Sequence, residues 1–243
     1  MHPKIKSFFE DCATEVENIG KDKDVQGLSR IWLREITRHK YAYHFSWMGR
    51  PAIQFPQDMI ATQEIIWQVK PDLIIETGVA HGGSILFYAS LLALIHPEKE
   101  AYVLGVDIDI REHNREAIQS HPLFERVKLI EGSSIEKNTL ALVEKHVQNK
   151  SKIMVVLDSN HTHEHVLQEL KAYAPLVSHN SYCIVMDTLI EDMPADFFEG
   201  SSWGPGNNPK TAVNEYLKQD PCFSVDYAID HKLLISAAPG GYL

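Results

Sequence analysis

The chain has 243 residues, of which 44% are hydrophobic and 23% are charged. This length and composition suit one soluble α/β domain with additions and argue against a disordered chain. The formal net charge is −10, and no cluster of basic residues interrupts the acidic excess. Nucleic-acid binding is therefore not expected, and a substrate dominated by bare phosphate is disfavoured, although a local pocket can differ from the net charge.

The cysteines and the apolar runs indicate the compartment. Cys12, Cys183 and Cys222 have no CxxC spacing, so neither a disulfide framework nor a zinc site is predicted. The N-terminal sequence MHPKIKSFFEDC lacks the long apolar run of a signal peptide. The longest apolar stretch, residues 85–95, is too short to cross a bilayer. We therefore expect a cytoplasmic protein without an integral membrane segment.

The first 70 residues differ in pattern from the rest of the chain. Apolar residues at helical spacing predict helices over 6–19 and 57–69, with a polar break at 20–24. Segment 26–40 is compatible with a helix or with irregular structure. The aromatic, proline-containing stretch 41–57 is predicted to be an ordered loop. We interpret residues 1–70 as an N-terminal helical extension and residues 71–243 as the main domain.

From residue 71 onward, short apolar runs alternate with helical patterns. Strands are predicted over 72–76, 102–107, 127–130, 153–158 and 182–187, and helices over 84–95, 112–119, 136–147, 163–173 and 210–218. Two last strands are predicted over 223–227 and 232–236, after a long loop at 188–208. The alternation predicts a Rossmann-like α/β fold: a mostly parallel, seven-stranded sheet with helices on both faces. The closing antiparallel pair favours a class I methyltransferase over a plain NAD-binding domain.

A glycine-containing loop follows the first of these strands. Gly78 permits a tight turn, and Gly82 and Gly83 permit close approach of the backbone to a ligand. The loop fits neither the dinucleotide fingerprint nor the P-loop. We predict that it binds S-adenosylmethionine (SAM), with Glu76 receiving the methionine ammonium. The predicted cofactor-binding residues of this loop are Glu76, Thr77, Gly78, Gly82 and Ser84. The alternative is an ordinary glycine-rich turn.

The next two strand ends carry further candidates for the cofactor site. Asp107 is the first choice for binding the ribose hydroxyls and Asp109 the second, the alternative being a helix cap. The loop with Ser133 and Ser134 is predicted to lie beside the adenine, although Ser134 also suits a helix cap.

Asp158 and Asp187 end the fourth and fifth strands. Because neighbouring parallel strands end at the same edge of a sheet, these carboxylates are expected to lie across one cleft. They would supply hard oxygen ligands for magnesium or calcium there. The alternative is that each aspartate only caps a helix or turn.

Four segments resemble the cephalosporin hydroxylase (CmcI-like) family, whose members have a SAM-dependent methyltransferase fold. They are Ile75-Glu-Thr-Gly-Val-Ala-His-Gly-Gly-Ser84, Gly105-Val-Asp-Ile-Asp109, Leu157-Asp-Ser-Asn-His-Thr162 and Trp203-Gly-Pro-Gly-Asn-Asn-Pro-Lys-Thr-Ala212. The resemblance runs from about residue 30 to the C-terminus. The chain is more distantly similar to the macrolide sugar and catechol O-methyltransferases, which depend on magnesium.

The resemblance implies roles for individual residues. Asp158 would bind metal, contact the cofactor and take part in catalysis, and Asp187 would be a second metal ligand. His161 stands where the macrolide sugar enzymes have their base. The family commonly has an acid before the second aspartate, but this sequence has Met186, and water or Asn160 would have to fill that place. The alternative for His161 is that it begins an exposed helix together with two further histidines.

These features favour a SAM-dependent O-methyltransferase, assisted by Mg²⁺, that acts on a hydroxyl of a sugar or glycosylated metabolite in polysaccharide or antibiotic biosynthesis. Segments 41–47 and 203–209, with Arg50, are expected to wall the acceptor pocket or, in the case of 41–47, to contact another subunit. The enzyme is expected to be a homo-oligomer. Two alternatives stay open: an iron- or cofactor-dependent hydroxylase or oxidoreductase, and a non-catalytic SAM-binding partner.

Overall fold

Five parallel strands form the central sheet of the computed structural model, which describes residues 2–98 and 100–243. The strands of this sheet are β3 (Leu73–Thr77), β4 (Tyr102–Asp107), β5 (Val127–Glu131), β6 (Ile153–Leu157) and β7 (Cys183–Val185). Their order is β5-β4-β3-β6-β7. β4 and β5 follow β3 along the chain and lie on one side of it, whereas β6 and β7 lie on the other side. The strand order therefore reverses between β3 and β6, where a crevice opens at the carboxyl ends of the strands.

Helices cover both faces of the sheet, as the alternation predicts. They are α4 (Gly83–Ile95), α5 (Glu112–Gln119), α6 (Lys137–Val147), α7 (His163–Tyr173) and α8 (Pro209–Gln219). Side chains alternate between two hydrophobic cores: Ile74 and Met154 belong to one, and Ile75 and Val155 belong to the other. Strands buried on both faces explain the uninterrupted apolar runs in the sequence.

The N-terminal region contains α1 (Pro3–Lys21), α2 (Lys23–Arg38), a hairpin of β1 (Ser46–Trp47) and β2 (Arg50–Pro51), and α3 (Pro56–Val69). The segment that the sequence left open between helix and irregular structure is thus helical. Asp22 ends α1 and caps α2, since its side chain accepts hydrogen bonds from the amides of Asp24 and Val25. Within the described residues, none of the helices combines the length and apolar character needed to cross a membrane.

The predicted antiparallel pair at the C-terminus is wrong. Residues Tyr227–Leu233 form a helix, α9, whose first turn is capped by Asp226. The segment that lies antiparallel to β7 is instead the last three residues, through hydrogen bonds of 3.0 Å between Cys183 and Leu243 and one of 2.8 Å from Val185 N to Gly241 O. This contact amounts to an isolated bridge, so the central sheet has five strands rather than seven.

A buried carboxylate holds the C-terminal segment against α3. Asp58 accepts hydrogen bonds from the Ser236 hydroxyl (2.6 Å), the Ala237 amide (2.7 Å) and the Tyr242 hydroxyl (2.7 Å). Burial raises the pKa of Asp58 to about 6, although these three hydrogen bonds oppose the shift. The end of the chain is therefore fixed close to the carboxyl edge of β7.

Candidate active site

A cavity of about 440 Å³ opens at the carboxyl ends of β3, β6 and β7. Its wall is built from Ala237 and from six stretches of the chain: 37–43, 51–55, 78–84, 158–161, 186–193 and 198–203. Two of these stretches follow β3 and β6 directly, at the reversal of strand order. The stretches before α3 (37–43 and 51–55) and after β7 (186–193 and 198–203) cover the side of the cavity opposite the sheet edge. The cavity is thus a cleft between the sheet edge and a cover built from two distant parts of the sequence.

The glycines of the loop after β3 make room for protein neighbours. A Cβ on Gly78 would lie 2.0 Å from the Asp158 carbonyl oxygen, and Gly78 has a φ of +90°. A Cβ on Gly82 would meet the Ile118 side chain. At Gly83 a Cβ would lie 2.2 Å from the carbonyl oxygen of Pro51, in the hairpin. Close packing of α5 and the hairpin therefore requires glycine at these positions, and Gly78 and Gly83 also line the cavity. The close approach of Gly82 and Gly83 to a ligand stays a prediction.

Glu76 lies at the end of β3 and is fully buried. Its Oε2 accepts a hydrogen bond of 2.9 Å from Ser84, which lines the cavity, whereas its Oε1 has no partner among the described residues. Burial raises the pKa of Glu76 to about 8. Thr77 is also fully buried, and its carbonyl accepts the Asp158 amide. Neither Thr77 nor Glu76 forms part of the cavity wall itself, and Glu76 lies behind Ser84. The free oxygen of Glu76 is suited to an ammonium partner.

The two aspartates after β4 have different surroundings. Asp107 accepts hydrogen bonds from the amides of Val79 (2.7 Å) and Ala80 (3.1 Å) through Oδ2, and from the amide of Asp109 (3.0 Å) through Oδ1. Both carboxylate oxygens of Asp107 therefore accept hydrogen bonds from backbone amides. The Asp109 side chain is 71% exposed, and its nearest charged neighbour is Arg111 at 3.9 Å. Asp109 is therefore the more exposed of the two acids, whereas Asp107 is half-buried.

Three polar residues of α7 contact the loops after β5 and β6. His165 Nε2 lies 3.1 Å from the Ser134 hydroxyl, and Tyr173 donates a 2.8 Å hydrogen bond to the Ser134 carbonyl. Glu169 is fully buried and accepts a 2.7 Å hydrogen bond from Ser159. His165, Glu169 and Tyr173 are spaced four residues apart, so they share one face of the helix. Sequence reasoning missed Glu169 and Tyr173, although this spacing is a detectable signal. Ser133, next to Ser134 in this loop, is half-buried.

Asp158, His161 and Asp187 meet in the wall of the cavity, as the strand ends predict. One ligand atom from each lies within 4.8 Å of the others, and His161 Nδ1 is 3.4 Å from Asp187 Oδ2. Burial, then the Asp187 carboxylate and then the Glu76 carboxylate hold the pKa of Asp158 well above its usual range. Crowded carboxylates of this kind are stabilised by a cation, so the donor set of two oxygens and one nitrogen fits a divalent metal.

Met186 stands in the place of the family's acid, and Asn160, which was expected as its possible substitute, adds no ligand. Met186 is 4% exposed and forms an apolar part of the cavity wall. Asn160 Oδ1 accepts hydrogen bonds from the amide (2.9 Å) and the hydroxyl (2.7 Å) of Thr162. The amide oxygen of Asn160 therefore organises the turn before α7, and the third nearby donor is His161.

The histidines at the start of α7 do not form a solvated face, because each has a specific contact. The His161 ring meets the edge of Trp203 at 4.9 Å between centroids and an angle of 89°. His163 contacts Thr211 (2.8 Å) and Glu215 (3.1 Å) on α8. These contacts join α7 to the loop after β7 and to α8, and they place Trp203 beside His161 in the cavity.

The predicted wall over 41–47 is only partly present. Tyr41 and Tyr43 line the cavity, whereas Trp47 donates a hydrogen bond to Ser90 and packs on α4. Arg50 donates hydrogen bonds of 2.8 Å to the His81 carbonyl and to the Asn114 side chain. Arg50 therefore ties the N-terminal cover to the glycine loop rather than forming the wall itself.

The chain is similar to known sugar methyltransferases over most of its length. The family model for rhamnosyl O-methyltransferase/CmcI matches residues 39–243. A rhamnosyl O-methyltransferase of Mycobacterium leprae is 31% identical over 201 residues, covering 82% of each chain. The Mycobacterium tuberculosis relative of the same name is 31% identical over 202 residues, covering 82% of this chain and 77% of the relative. A CmcI structure named with Mg and SAM has a TM-score of 0.56 at 18% identity, over 82% of this chain and 75% of that one, which shows a shared fold.

Proposed function

Because this chain belongs to the rhamnosyl O-methyltransferase/CmcI family and is a SAM-dependent O-methyltransferase, we propose that its acceptor is a hydroxyl of a rhamnose-type sugar and that a divalent cation assists the transfer. The resemblance noted in the sequence is thereby confirmed. The observation that carries the proposal is the convergence of Asp158, His161 and Asp187 in the wall of a cavity beside the glycine loop.

His161 is the proposed general base. SAM supplies a methyl group on a sulfonium centre, which an oxygen nucleophile attacks in line. The attacking hydroxyl must lose its proton, and histidine titrates in the neutral range. Asp187 lies against Nδ1 of His161 and Trp203 packs against the ring, so both fix the orientation of the imidazole. Nε2 of His161 makes no hydrogen bond among the described residues and is the atom assigned to accept the proton.

Asp158 and Asp187 are the proposed ligands of the cation, which would lower the pKa of the acceptor hydroxyl and orient it. Asp187 would then hold the cation as well as contact His161, so the three side chains would act as one unit. If His161 were itself a ligand through Nδ1, its ring would be held in the same orientation, and Nε2 would still be free. Mg²⁺ suits the two carboxylates.

The cofactor residues are assigned from their surroundings. Glu76 is assigned to the methionine ammonium because its Oε1 lacks a partner. Asp109 is assigned to the ribose hydroxyls in place of Asp107, whose oxygens hold the loop that includes Gly78 and Gly82. Ser133 and Ser134 are assigned to the adenine side. Thr77 is assigned a positioning role, because its carbonyl accepts the hydrogen bond from the Asp158 amide.

Three further expectations stay predictions. The division of the chain at residue 70 is one, and a cytoplasmic location is another. The third is a homo-oligomer, which is supported by the exposed apolar side chains of α1, namely Ile5, Phe8 and Phe9.

The test combines binding and turnover. Calorimetry should detect micromolar binding of SAM or S-adenosylhomocysteine, with NAD as a silent control. With methyl α-rhamnoside as acceptor, His161→Ala should lower kcat on the order of 100-fold or more while the Kd for SAM stays unchanged. His113→Ala, at an exposed histidine of α5, is the matched control. Full turnover by His161→Ala would refute the base assignment, and absent SAM binding would refute the proposed function.

A further inference from the structure

Backbone strain is concentrated around the cavity. Nine described residues other than glycine have a positive φ, and four of them line the cavity, namely Lys40, Ile53, Ala80 and Asp187. Strain of this kind persists only where the surrounding structure imposes it, and it clusters at functional sites. Ile53, with a φ of +54°, is the one member of the nine whose side chain is branched at Cβ, and such side chains fit this region least well. The conformation of Ile53 therefore has to be imposed by its neighbours.

Both neighbours of Ile53 are anchored to the rest of the protein. On one side, the Ala52 amide donates a 3.0 Å hydrogen bond to the Phe45 carbonyl. On the other side, the buried Gln54 donates a 3.3 Å hydrogen bond to the Tyr88 hydroxyl on α4. Ile53 itself makes no hydrogen bond within the described part of the chain. The strain at Ile53 is thus fixed from both sides, and no hydrogen bond of its own offsets it.

The other three strained residues of the cavity have local explanations. The Ala80 amide donates a 3.1 Å hydrogen bond to Asp107, and the Lys40 amide donates one of 2.9 Å to a carbonyl in the last turn of α2. Asp187 is a proposed ligand of the cation. Ile53 has no comparable backbone contact, and what it contributes to the site is its half-buried side chain in the cavity wall.

Ile53 lies near the place assigned to the methionine end of the cofactor. A Cβ on Gly83 would lie 2.5 Å from the Ala52 Cα, so the residue before Ile53 packs on the first turn of α4. The next residue of α4, Ser84, donates its hydroxyl to Glu76, which is assigned to the methionine ammonium. Ile53, Gly83 and Ser84 all line the cavity. The side chain of Ile53 is therefore offered to the cavity beside the α4 turn that reaches Glu76.

We propose that Ile53 contacts the methionine part of SAM and is held at a positive φ so that its side chain covers the cofactor there. This inference rests on the proposed function, through the assignment of Glu76. The carbon chain between the ammonium and the sulfur of the cofactor is apolar, so contact with isoleucine removes apolar surface from water. Exclusion of water also strengthens the attraction between the ammonium and the Glu76 carboxylate. Ile53 is thus a cofactor-contacting residue contributed by the N-terminal cover.

The contact is tested by calorimetric titration of S-adenosylhomocysteine into the full chain. Ile53→Ala and Ile53→Gly both remove the contact and should weaken binding about tenfold, the equivalent of about two buried methylene groups. Met48→Ala is the matched control. Met48 also has a positive φ in the hairpin, but its side chain is exposed and lies outside the cavity wall. The control should bind S-adenosylhomocysteine as the wild type does.

Thermal unfolding of the same two variants tests the strain. At a negative φ within regular structure alanine is the more stable of the two residues, whereas at a positive φ glycine avoids the steric cost that alanine carries. Ile53→Gly should therefore have a Tm about 2 °C or more above that of Ile53→Ala. Because the two variants lack the same side chain, the sign of this difference reports the backbone alone.

Three results would overturn the proposal. One is wild-type affinity for S-adenosylhomocysteine in both Ile53 variants, and another is a Tm of Ile53→Gly that does not exceed that of Ile53→Ala. The third is a raised KM for methyl α-rhamnoside with an unchanged Kd for S-adenosylhomocysteine, which would place Ile53 against the acceptor. If Ile53→Ala fails to fold, Ile53→Gly still measures the contact. Absence of S-adenosylhomocysteine binding by the wild type would instead mark failure of the proposed function.

Discussion

Replacing Gly83 with alanine tests how the N-terminal cover is seated on the cofactor loop. The added Cβ would lie 2.2 Å from the Pro51 carbonyl oxygen and 2.5 Å from the Ala52 Cα, and both contacts are with backbone, which cannot rotate away. Overpacking of this kind costs about 1–3 kcal/mol. For a chain of this length each kcal/mol shifts Tm by about 2–4 °C, so the steric effect should lower Tm by about 2–12 °C.

Gly27→Ala is the matched control, because it lies within α2 and a Cβ there meets nothing within 4 Å. Alanine in a helix is more stable than glycine by about 0.5–1 kcal/mol, so this variant should be slightly stabilised. The difference between the two variants isolates the steric effect. Thermal unfolding followed by circular dichroism measures it. A Tm for Gly83→Ala equal to that of Gly27→Ala would refute the close packing of the hairpin on α4.

The same substitution should affect acceptor binding. Pro51 and Ala52 line the first cavity, so a hairpin displaced from α4 changes the cavity wall. We expect KM for the acceptor to rise, whereas Gly27→Ala should leave it unchanged. An unchanged KM together with a lowered Tm would show that the hairpin adjusts without moving the wall.

Three further changes test other parts of the molecule. Ser159 lines the cavity and donates its hydroxyl to Glu169, so Glu169→Leu should release the Ser159 side chain and weaken SAM binding about tenfold, the equivalent of one lost hydrogen bond. Glu169→Gln keeps an acceptor and should bind SAM as the wild type does, and equal affinities of the two variants by calorimetry would contradict a positioning role for Glu169. The folded pKa of Asp58 is about 6 against an ordinary 3.8, so the folded chain binds the extra proton and the free energy of unfolding should fall by about 3 kcal/mol as pH rises from about 4 to 6. Asp58→Asn should lack this component of the pH dependence in urea titrations, and an unaltered slope would exclude Asp58 as its source. Mg²⁺ at 100 times its Kd should stabilise the wild type by about 2.7 kcal/mol and stabilise Asp187→Asn far less, so that equal shifts of Tm on adding Mg²⁺ would place the cation elsewhere.

The parallel sheet is predictable from the sequence because its strands are buried on both faces. β4 and β6 contain runs of apolar residues bounded by polar ones, and a buried strand requires such a run. The ends of α5 and α7 agree with their predicted limits. The strand-end carboxylates Asp158 and Asp187 follow from the same reasoning, since parallel strands end at one edge.

The C-terminal region was mispredicted because its structure depends on distant partners. Helix α9 has seven residues, too few to be stable alone, and it packs on α1 at the other end of the chain, with Lys232 paired to Glu64 of α3. The bond from Ser236 to Asp58 joins residues 178 positions apart. Local patterns carry no information on such contacts, so the residues at 223–227 predict a strand that does not form.

The glycine loop shows a different limit of sequence reasoning. A glycine indicates that space is needed beside the backbone, but it does not indicate what fills the space. At Gly78 the space is filled by the Asp158 backbone, and at Gly83 it is filled by the hairpin. Likewise, an acid after a strand indicates a hydrogen-bond acceptor, and at Asp107 the donors are backbone amides of the same loop.

The two-part construction of the cavity has a consequence for how new specificities arise. The proposed cofactor site and the proposed base lie at the edge of the sheet beside α7, whereas the proposed acceptor surface comes from 37–55 and 189–198. We expect that exchange of those two segments between related enzymes, which leaves Asp187 and Trp203 in place, would change the recognised sugar while Asp158, His161 and Asp187 keep their arrangement. Arg50 is the residue to retain in such chimeras, because it fastens the first segment to the glycine loop.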